Sequence, residues 1–151
     1  LYNTSETDVT WETCSLRKWL NDDFINSVFS AEEKDMISTV TVPADKNPKY
    51  STNPGNATTD KVFLLSIDEV NRYFGSDEAR KCVPTAYAIA IDTYTSDIET
   101  KDGAATCWWW LRSPGGDQYH AACVTDGGAV SYFGDNDVIG VRPALWINLG
   151  S

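Results

Sequence analysis

The chain has 151 residues, 42% of them hydrophobic and 23% charged, and its formal net charge is −10. This length and composition are typical of one globular domain, whose core needs neither a metal nor disulfides. The negative charge argues against nucleic-acid partners, which need a basic surface, and the chain has no apolar run of about 18 residues that could cross a membrane.

Helical signals dominate the N-terminal half. Residues 10–26 place Leu16, Trp19 and Leu20 at i, i+3 and i+4, which predicts a helical region with one buried stripe. Two capping boxes, Ser30-Ala31-Glu32-Glu33 and Ser66-Ile67-Asp68-Glu69, each predict the start of a further helix. The remaining predicted helices span residues 31–37, 67–74 and 85–91.

Strand signals dominate the C-terminal half. Asp126-Gly127-Gly128 separates two apolar runs and predicts a β-hairpin. Pro143 predicts an edge position or a bulge in the last strand. The predicted fold class is therefore α+β, a single domain over residues 1–151 with helices in the N-terminal half and an antiparallel sheet in the C-terminal half. Loops are predicted at 41–60 and 96–106, and strands at 61–65, 108–112, 121–125, 129–133 and 138–149.

Four motifs in a fixed order carry a resemblance to a known family. They are Trp11-Glu12-x-x-Ser15-Leu16-Arg17-x-Trp19-Leu20-Asn21, Val62-Phe63-Leu64-Leu65-Ser66, Trp109-Trp110-Leu111-Arg112-Ser113-Pro114-Gly115 and Gly140-Val141-Arg142-Pro143-Ala144-Leu145. The sequence resembles the DUF6273 domains of bacteria and their phages, whose function is unknown. Cys14 lies in the first motif, where a small polar residue would fit equally, and we read it as a substitution without functional weight.

The resemblance implies a C-type-lectin-like fold, similar in layout to formylglycine-generating-enzyme-type domains. Lectin-fold domains of this group include the variable proteins of diversity-generating retroelements, in which mutated template adenines scatter Asn codons into many residue types. Changes at the adenines of an Asn AAY codon produce Asp, Tyr, His, Ser, Thr, Gly, Ala and Phe. Most polar loop residues belong to this set, so a binding domain with a fixed sequence remains the alternative. The residues that fit the set here are Asp117, Tyr119, His120, Tyr132, Phe133, Asp135, Asn136 and Asp137.

Two polar segments, residues 116–120 and 131–137, lie at the predicted C-terminal hairpin, and we expect them to form a binding surface. Their aromatic residues would supply contact area at low entropic cost, and their polar residues would supply adaptable hydrogen bonds. The triple Trp108-Trp109-Trp110 alternates across a strand, so one of its faces could form a stacking platform. The predicted ligand-binding residues are Trp109, Asp117, Gln118, Tyr119, His120, Tyr132, Phe133, Asp135, Asn136 and Asp137.

Catalytic and metal signals are weaker. Asp135 and Asp137, with Asn136, could chelate calcium in a loop, but a solvated turn is the simpler interpretation. A nucleophilic set drawn from Cys123, His120 and Asp117 is disfavoured, because strand residues three apart face opposite ways. We expect no cofactor and no metal ligands.

Cysteine and arginine residues carry structural expectations. Cys14, Cys82, Cys107 and Cys123 lack zinc-ligand spacing, and they leave open both buried thiols and at least one disulfide. The arginines in apolar strands, Arg112 and Arg142, should each find a carboxylate or backbone carbonyls, since an unpaired buried guanidinium is costly. Arg17 should likewise pair with an acidic residue.

The sequence therefore predicts a non-catalytic binding module for a protein or glycan ligand, outside the cell or on a phage particle. We expect no nucleic-acid partner and no membrane insertion. Since the chain opens at Leu1 rather than Met, we also expect it to be part of a longer or processed polypeptide. The alternatives are a formylglycine-generating-type oxidoreductase, although Cys107 and Cys123 do not reproduce its cysteine pattern well, and a structural domain of an envelope protein.

Overall fold

Helical segments come first along the chain and an antiparallel three-stranded sheet comes last, as the α+β prediction requires. The computed structural model describes residues 2–4, 7–134 and 138–150. Within these ranges, no helix is both long and apolar enough to cross a membrane.

The predicted helical region 10–26 begins later than the pattern indicates. The Cys14 thiol caps the first helix, because its sulfur accepts a hydrogen bond from the Arg17 amide at 3.4 Å. Cys14 therefore has a structural role, and our interpretation that it carries no functional weight stays a prediction. The region forms three short pieces, which are α1 (Ser15–Trp19), a π-helical turn (Leu20–Phe24) and α2 (Ile25–Val28).

Trp19 does not join the buried stripe that the sequence predicts. It is 42% exposed, whereas Leu16 and Leu20 are buried. Residues i and i+4 define the centre of the stripe, so residue i+3 lies at its edge. At the surface, the Trp19 ring packs at 5.2 Å from the ring of Phe24.

Both predicted capping boxes are confirmed. Ser30 and Glu33 exchange side-chain to backbone hydrogen bonds at the start of α3 (Ala31–Met36). Ser66 and Glu69 do the same at the start of α4 (Ile67–Tyr73). Each box satisfies two backbone amides that would otherwise lack partners in the first turn, which explains why these starts are readable from the sequence.

Two further helices differ in how the sequence signals them. α5 (Asp77–Arg80) was not predicted, although Ser76 caps it. α6 (Ala86–Ala90) lies inside the predicted helix 85–91 and is capped by Thr85, but it has no buried residue. Apolar periodicity in this segment therefore reflects an exposed surface and not a core face.

Two small antiparallel pairs form inside segments that we predicted as loops. β1 (Val40–Val42) pairs with β2 (Thr58–Asp60), so the loop 41–60 is in fact bounded by paired strands. β3 (Thr100–Lys101) pairs with β4 (Ala104–Ala105) around a turn in the predicted loop 96–106. Strands this short carry little periodicity, which is why the sequence did not indicate them.

The main sheet confirms the predicted hairpin. β5 (Trp109–Pro114), β6 (Ala121–Val124) and β7 (Val130–Gly134) form one antiparallel sheet in that order. Every residue of β5 and β6 is buried. The register shifts between Trp110 and Pro114, which marks a bulge where the chain turns towards the loop after β5.

The C-terminal segment is extended but does not form the regular strand predicted at 138–149. It makes three isolated bridges, at Gly140 with Trp109, at Ala144 with Phe63 and at Ile147 with Ile37. The predicted strand 61–65 likewise reduces to the single Phe63 bridge. Pro143 donates no amide hydrogen bond, so this part of the ladder cannot be continuous.

Two hydrophobic clusters cover opposite faces of β5. Trp110 belongs to the first cluster with the N-terminal helices, and Trp109 and Leu111 belong to the second cluster with α4. Each fully buried large apolar side chain contributes roughly 1.5–3 kcal/mol to stability. The sheet is thus a rigid centre, and the segments that leave its strands are held at defined positions.

Candidate functional site

A buried arginine fixes the segment that leads into the loop beside the main sheet. The Arg112 side chain is 1% exposed and pairs with Asp45 at 2.7 Å and with Glu69. It also donates to the carbonyls of Leu64 at 2.9 Å and Pro43 at 3.3 Å. The prediction that Arg112 finds carboxylates or carbonyls is confirmed, and the arginine anchors the chain just before residue 46.

Loop 46–54 is then tied to the end of β5 through main-chain atoms. Asn47 is 5% exposed, and its amide nitrogen donates to the carbonyls of Pro114 at 2.8 Å and Gly115 at 3.2 Å. Its side-chain oxygen accepts the Lys49 amide at 2.9 Å, and the Thr52 hydroxyl donates to the Gly115 carbonyl at 2.9 Å. The loop borders a depression of about 540 Å³.

Gly115 allows three segments to meet at this point. A Cβ there would lie 2.6 Å from the carbonyl oxygen of Tyr132 and 2.7 Å from the Cβ of His120. The Gly115 amide donates to the His120 carbonyl at 2.7 Å, and the Gly116 amide donates to the Tyr132 carbonyl at 2.6 Å. These contacts bring the turn 116–120 and β7 together.

Gln118 acts as a second tether. Its amide nitrogen donates to the carbonyls of Asn53 at 2.9 Å and Val9 at 3.2 Å, and its oxygen accepts the Asn53 amide at 2.8 Å. We predicted Gln118 as an adaptable ligand contact. The structure instead engages both polar atoms of its side chain inside the fold.

Two groups of ring contacts lie beside the tethers, and we call their residues together the aromatic face. The Tyr132 ring lies 5.7 Å from the Tyr50 ring, and the Lys49 ammonium lies 4.4 Å from the Tyr132 ring centroid. The Tyr119 and His120 rings lie 4.3 Å apart. The aromatic face consists of Lys49, Tyr50, Tyr119, His120 and Tyr132.

The residues of the aromatic face differ in exposure, and an acidic side chain lies beside them. Asp117 Oδ2 lies 3.4 Å from His120 Nδ1, and the Asp117 side chain is 52% exposed. Tyr119 is 57% exposed and Tyr50 is 38% exposed, whereas Tyr132 is half-buried against the second cluster. Among the predicted residues whose exposure the structure describes, Tyr119 and Asp117 therefore have the most surface to offer a ligand.

Trp109 does not belong to this surface, and its prediction as a ligand platform is wrong. It is 1% exposed, and its indole nitrogen donates to the Arg80 carbonyl at 3.1 Å. Both faces of β5 are covered, so the alternation of the tryptophans separates two core clusters and not core from solvent.

The profile of the family described as "Domain of unknown function (DUF6273)" matches residues 1–149. The chain belongs to this family. Comparison of this DUF6273 domain with curated proteins and with solved structures gives no match.

Part of the predicted site in this DUF6273 domain lies beyond what can be described. Phe133 belongs to β7, and the structure defines only its backbone. Asp135, Asn136 and Asp137 lie outside the described residues. Their predicted ligand contacts and the calcium interpretation stay predictions. Elsewhere in the described chain, no three His, Cys, Asp or Glu side chains converge as a metal site would require.

The other arginines have structural surroundings. Arg17 pairs with buried Asp60 at 2.8 Å, which confirms the prediction for it. The Arg142 guanidinium lies over the rings of Phe74 at 5.0 Å and Trp109 at 5.1 Å, and these contacts were not part of its prediction. Its Nη1 atom is buried and has no hydrogen-bond partner among the described residues.

The cysteines are free thiols, and three of them are buried. Cys123 lies opposite Trp110 in the sheet and is 0% exposed, so it is closed off from the His120 side of the turn. Cys107 lies opposite Cys82 and not beside Cys123. The cysteine pair that the oxidoreductase alternative would use is thus not assembled from Cys107 and Cys123.

Sequence reasoning missed Lys49 and Tyr50, because it treated their segment only as a loop. The run Asn47-Pro48-Lys49-Tyr50 carried one usable signal, an aromatic residue directly after a turn dipeptide. Its position beside β7 depends on contacts made with residues more than sixty positions later, such as that of Asn47 with Pro114.

Proposed function

We propose that this DUF6273 domain is a non-catalytic binding module with a C-type-lectin-like fold, and that it binds a protein or a glycan through the aromatic face. The observation that carries the proposal is the combination of exposed rings with side-chain tethers to the backbone. Tyr119 and Tyr50 are exposed, while Asn47 and Gln118 hold their segments by hydrogen bonds to backbone atoms.

The tethers favour binding because they lower its entropic cost. A loop that is already ordered loses less freedom when a ligand docks, so more of the contact energy appears as affinity. Tyrosine adds large contact area with only two side-chain torsions to fix. A few such anchors near the centre of a contact supply most of its energy.

We further propose that the domain is the variable protein of a diversity-generating retroelement. The supporting observation is positional. Asp117, Tyr119, His120 and Tyr132 all fit the set of residues reached from an Asn codon. His120 and Tyr132 meet at Gly115, and Asp117 and Tyr119 lie beside His120. In this proposal the protein acts outside the cell, at a bacterial surface or on a phage particle.

Sequencing the DNA around the coding gene tests the retroelement proposal. We expect a near-copy of the segment that encodes residues 108–149, beside a reverse transcriptase, with differences only at adenines. Those differences should fall on the codons for 117, 119, 120, 132 and 135–137. Absence of such a copy overturns the retroelement proposal and leaves a fixed binding module.

Screening on glycan and protein arrays tests the binding proposal itself. The wild-type domain is compared with a double variant, Tyr50→Ala with Tyr119→Ala, and with a matched control, Tyr73→Ala with Tyr87→Ala. The control residues are 52% and 73% exposed and lie on α4 and α6. We expect ligands that the control retains and the aromatic-face variant loses. If every captured ligand survives in the aromatic-face variant, the site is wrongly placed.

A further inference from the structure

Cys82 and Cys107 oppose each other across an isolated antiparallel bridge. The Cys107 amide donates to the Cys82 carbonyl at 2.9 Å, so the two side chains start from directly opposed backbone positions. Directly opposed residues of antiparallel strands have Cα atoms about 4.5–5.5 Å apart. This separation lies inside the range that a disulfide spans.

The two sulfurs differ in access to solvent. Cys107 is 2% exposed, and Gly140 packs against it so closely that a Cβ at that glycine would lie 3.3 Å from the Cys107 sulfur. Cys82 is only half-buried. A dissolved reagent therefore reaches Cys82 first, and Cys107 lies behind it.

Positive charge surrounds the pair. Arg142 and Lys101 both act electrostatically on Cys82, and Arg142 also acts on Cys107. Arg142 is held over two aromatic rings, and its buried Nη1 has no hydrogen-bond partner in the described chain. A nearby guanidinium favours the thiolate form of a cysteine.

The opposed positions and unequal exposure of the two thiols assign them different roles. The neighbouring Cys107 thiol lowers the pKa of the Cys82 thiol, against the opposing effect of burial, and the charges of Arg142 and Lys101 lower it further. The neighbouring Cys82 thiol and burial raise the pKa of Cys107. Because the thiolate is the nucleophile in thiol–disulfide exchange, Cys82 is the attacking sulfur and Cys107 resolves the intermediate.

We propose that Cys82 and Cys107 form a reversible disulfide by exchange with a small-molecule disulfide of the glutathione class. The Cys82 thiolate attacks one sulfur of the small disulfide, whose S–S bond breaks and releases one small thiolate. Cys107 loses its proton to water and attacks the Cys82 sulfur, which expels the second small thiolate. Two cysteines are oxidised, and one small disulfide is reduced to two thiols.

The disulfide would close a loop that carries an apolar surface. Residues 83–98 include α6, which buries no residue, and large exposed side chains. Among the backbone contacts that hold this segment are the Tyr94 amide to the Val138 carbonyl at 3.0 Å and the Ser96 amide to the Thr106 carbonyl at 2.8 Å. A covalent link from Cys82 to the start of the sheet would restrict the loop in both folded and unfolded chains. The proposal does not depend on the binding function.

Cys14 and Cys123 provide internal controls in the same molecule. Burial raises the pKa of Cys14 to about 11, and Cys123 is fully enclosed in the core. Neither thiol has the combination of partial exposure, a facing sulfur and nearby cations that Cys82 has. Both should therefore remain reduced under conditions that oxidise the pair.

Peptide mapping in glutathione redox buffers tests the proposal. The folded 151-residue chain is equilibrated with mixtures of reduced and oxidised glutathione, alkylated and digested without reduction. We expect a peptide linking Cys82 to Cys107, with Cys14 and Cys123 alkylated, and a midpoint of thermal unfolding raised by roughly 5–10 °C. Absence of this linked peptide in an oxidising buffer overturns the proposal, and this result requires no variant.

Two variants separate the roles of the sulfurs. Cys107→Ser should accumulate one glutathione adduct at Cys82, because nothing resolves the mixed disulfide. Cys82→Ser should leave Cys107 unmodified over the same time, since Cys107 is enclosed. Equal adduct formation in the two variants contradicts the assignment of Cys82 as the attacking sulfur.

Discussion

The aromatic face and the apolar segment 83–98 both present aromatic side chains to solvent, yet they are held very differently. Tyr119 is 57% exposed and Tyr87 is 73% exposed, so exposure alone would favour the second region. The first region is fixed by the side chains of Asn47 and Gln118, which bind backbone atoms, whereas α6 buries no residue. The difference teaches that anchorage, more than exposure, distinguishes an ordered contact surface from a loosely held apolar segment.

Removing the central anchor should have the largest effect. Arg112→Ala leaves the Asp45 and Glu69 carboxylates beside a buried void without their cation. We expect the free energy of unfolding to fall by about 3–5 kcal/mol, measured by urea denaturation. Arg72→Ala, a change on the exposed surface of α4, is the control and should cost less than about 0.5 kcal/mol. If both variants lose a similar amount of unfolding free energy, Arg112 is not a special anchor of the aromatic face.

Adding a methyl group at the meeting point should perturb the aromatic face directly. Gly115→Ala places a Cβ 2.6 Å from the Tyr132 carbonyl, so the backbone of the turn or of β7 must move. We expect a loss of about 1–3 kcal/mol in unfolding free energy. The matched control is Gly75→Ala, where a Cβ meets no atom within 4 Å. If the thermal melts of the two variants coincide, the fold does not need the close approach of Gly115 to the Tyr132 carbonyl.

Removing the Asn47 tether should make loop 46–54 as loosely held as segment 83–98. Asn47→Ala removes hydrogen bonds to the carbonyls of Pro114 and Gly115 and should cost about 1–2 kcal/mol. Hydrogen exchange of loop 46–54 should then accelerate, while exchange in 83–98 stays unchanged. Unchanged protection of the loop would mean that Asn47 is not what orders it.

Truncating an exposed ring should have the smallest effect on stability. Tyr119→Ala and Tyr87→Ala should each change the free energy of unfolding by less than about 0.5 kcal/mol, because both rings lie mostly in solvent. For a ligand found by array screening, Tyr119→Ala should weaken binding at least about tenfold, and Tyr87→Ala should not. Calorimetry on both variants measures the stability and the affinity. If Tyr119→Ala and Tyr87→Ala bind the ligand with equal affinity, the aromatic face has no special role in binding.

Local signals predicted much of the fold. The capping boxes at Ser30 and Ser66 and the hairpin around Asp126 were readable because all their partners lie within a few residues. The pairing of β1 with β2 and the contact of Cys82 with Cys107 were not readable, since each joins residues far apart in sequence. The family of the chain came from the four motifs and not from local helix or strand signals. The profile match over residues 1–149 confirms that family.

The candidate site was predicted only in part, for a related reason. Tyr119, His120 and Tyr132 do lie together, because the hairpin brings the ends of its strands to one place. Trp109 was misplaced because alternation reveals two faces but not whether the second face is covered. Tyr50 was missed because its packing on Tyr132 depends on a tether that no local pattern encodes.

The tethers of the aromatic face end on main-chain atoms and not on the side chains at positions 117, 119 and 120. Asn47 and Gln118 bind the carbonyls of Pro114, Gly115, Val9 and Asn53, which every residue type supplies. Randomising positions 117, 119 and 120 therefore leaves each tether with its acceptor intact. The domain is suited to serve as a scaffold for combinatorial libraries, in which most members should fold alike while differing in what they recognise.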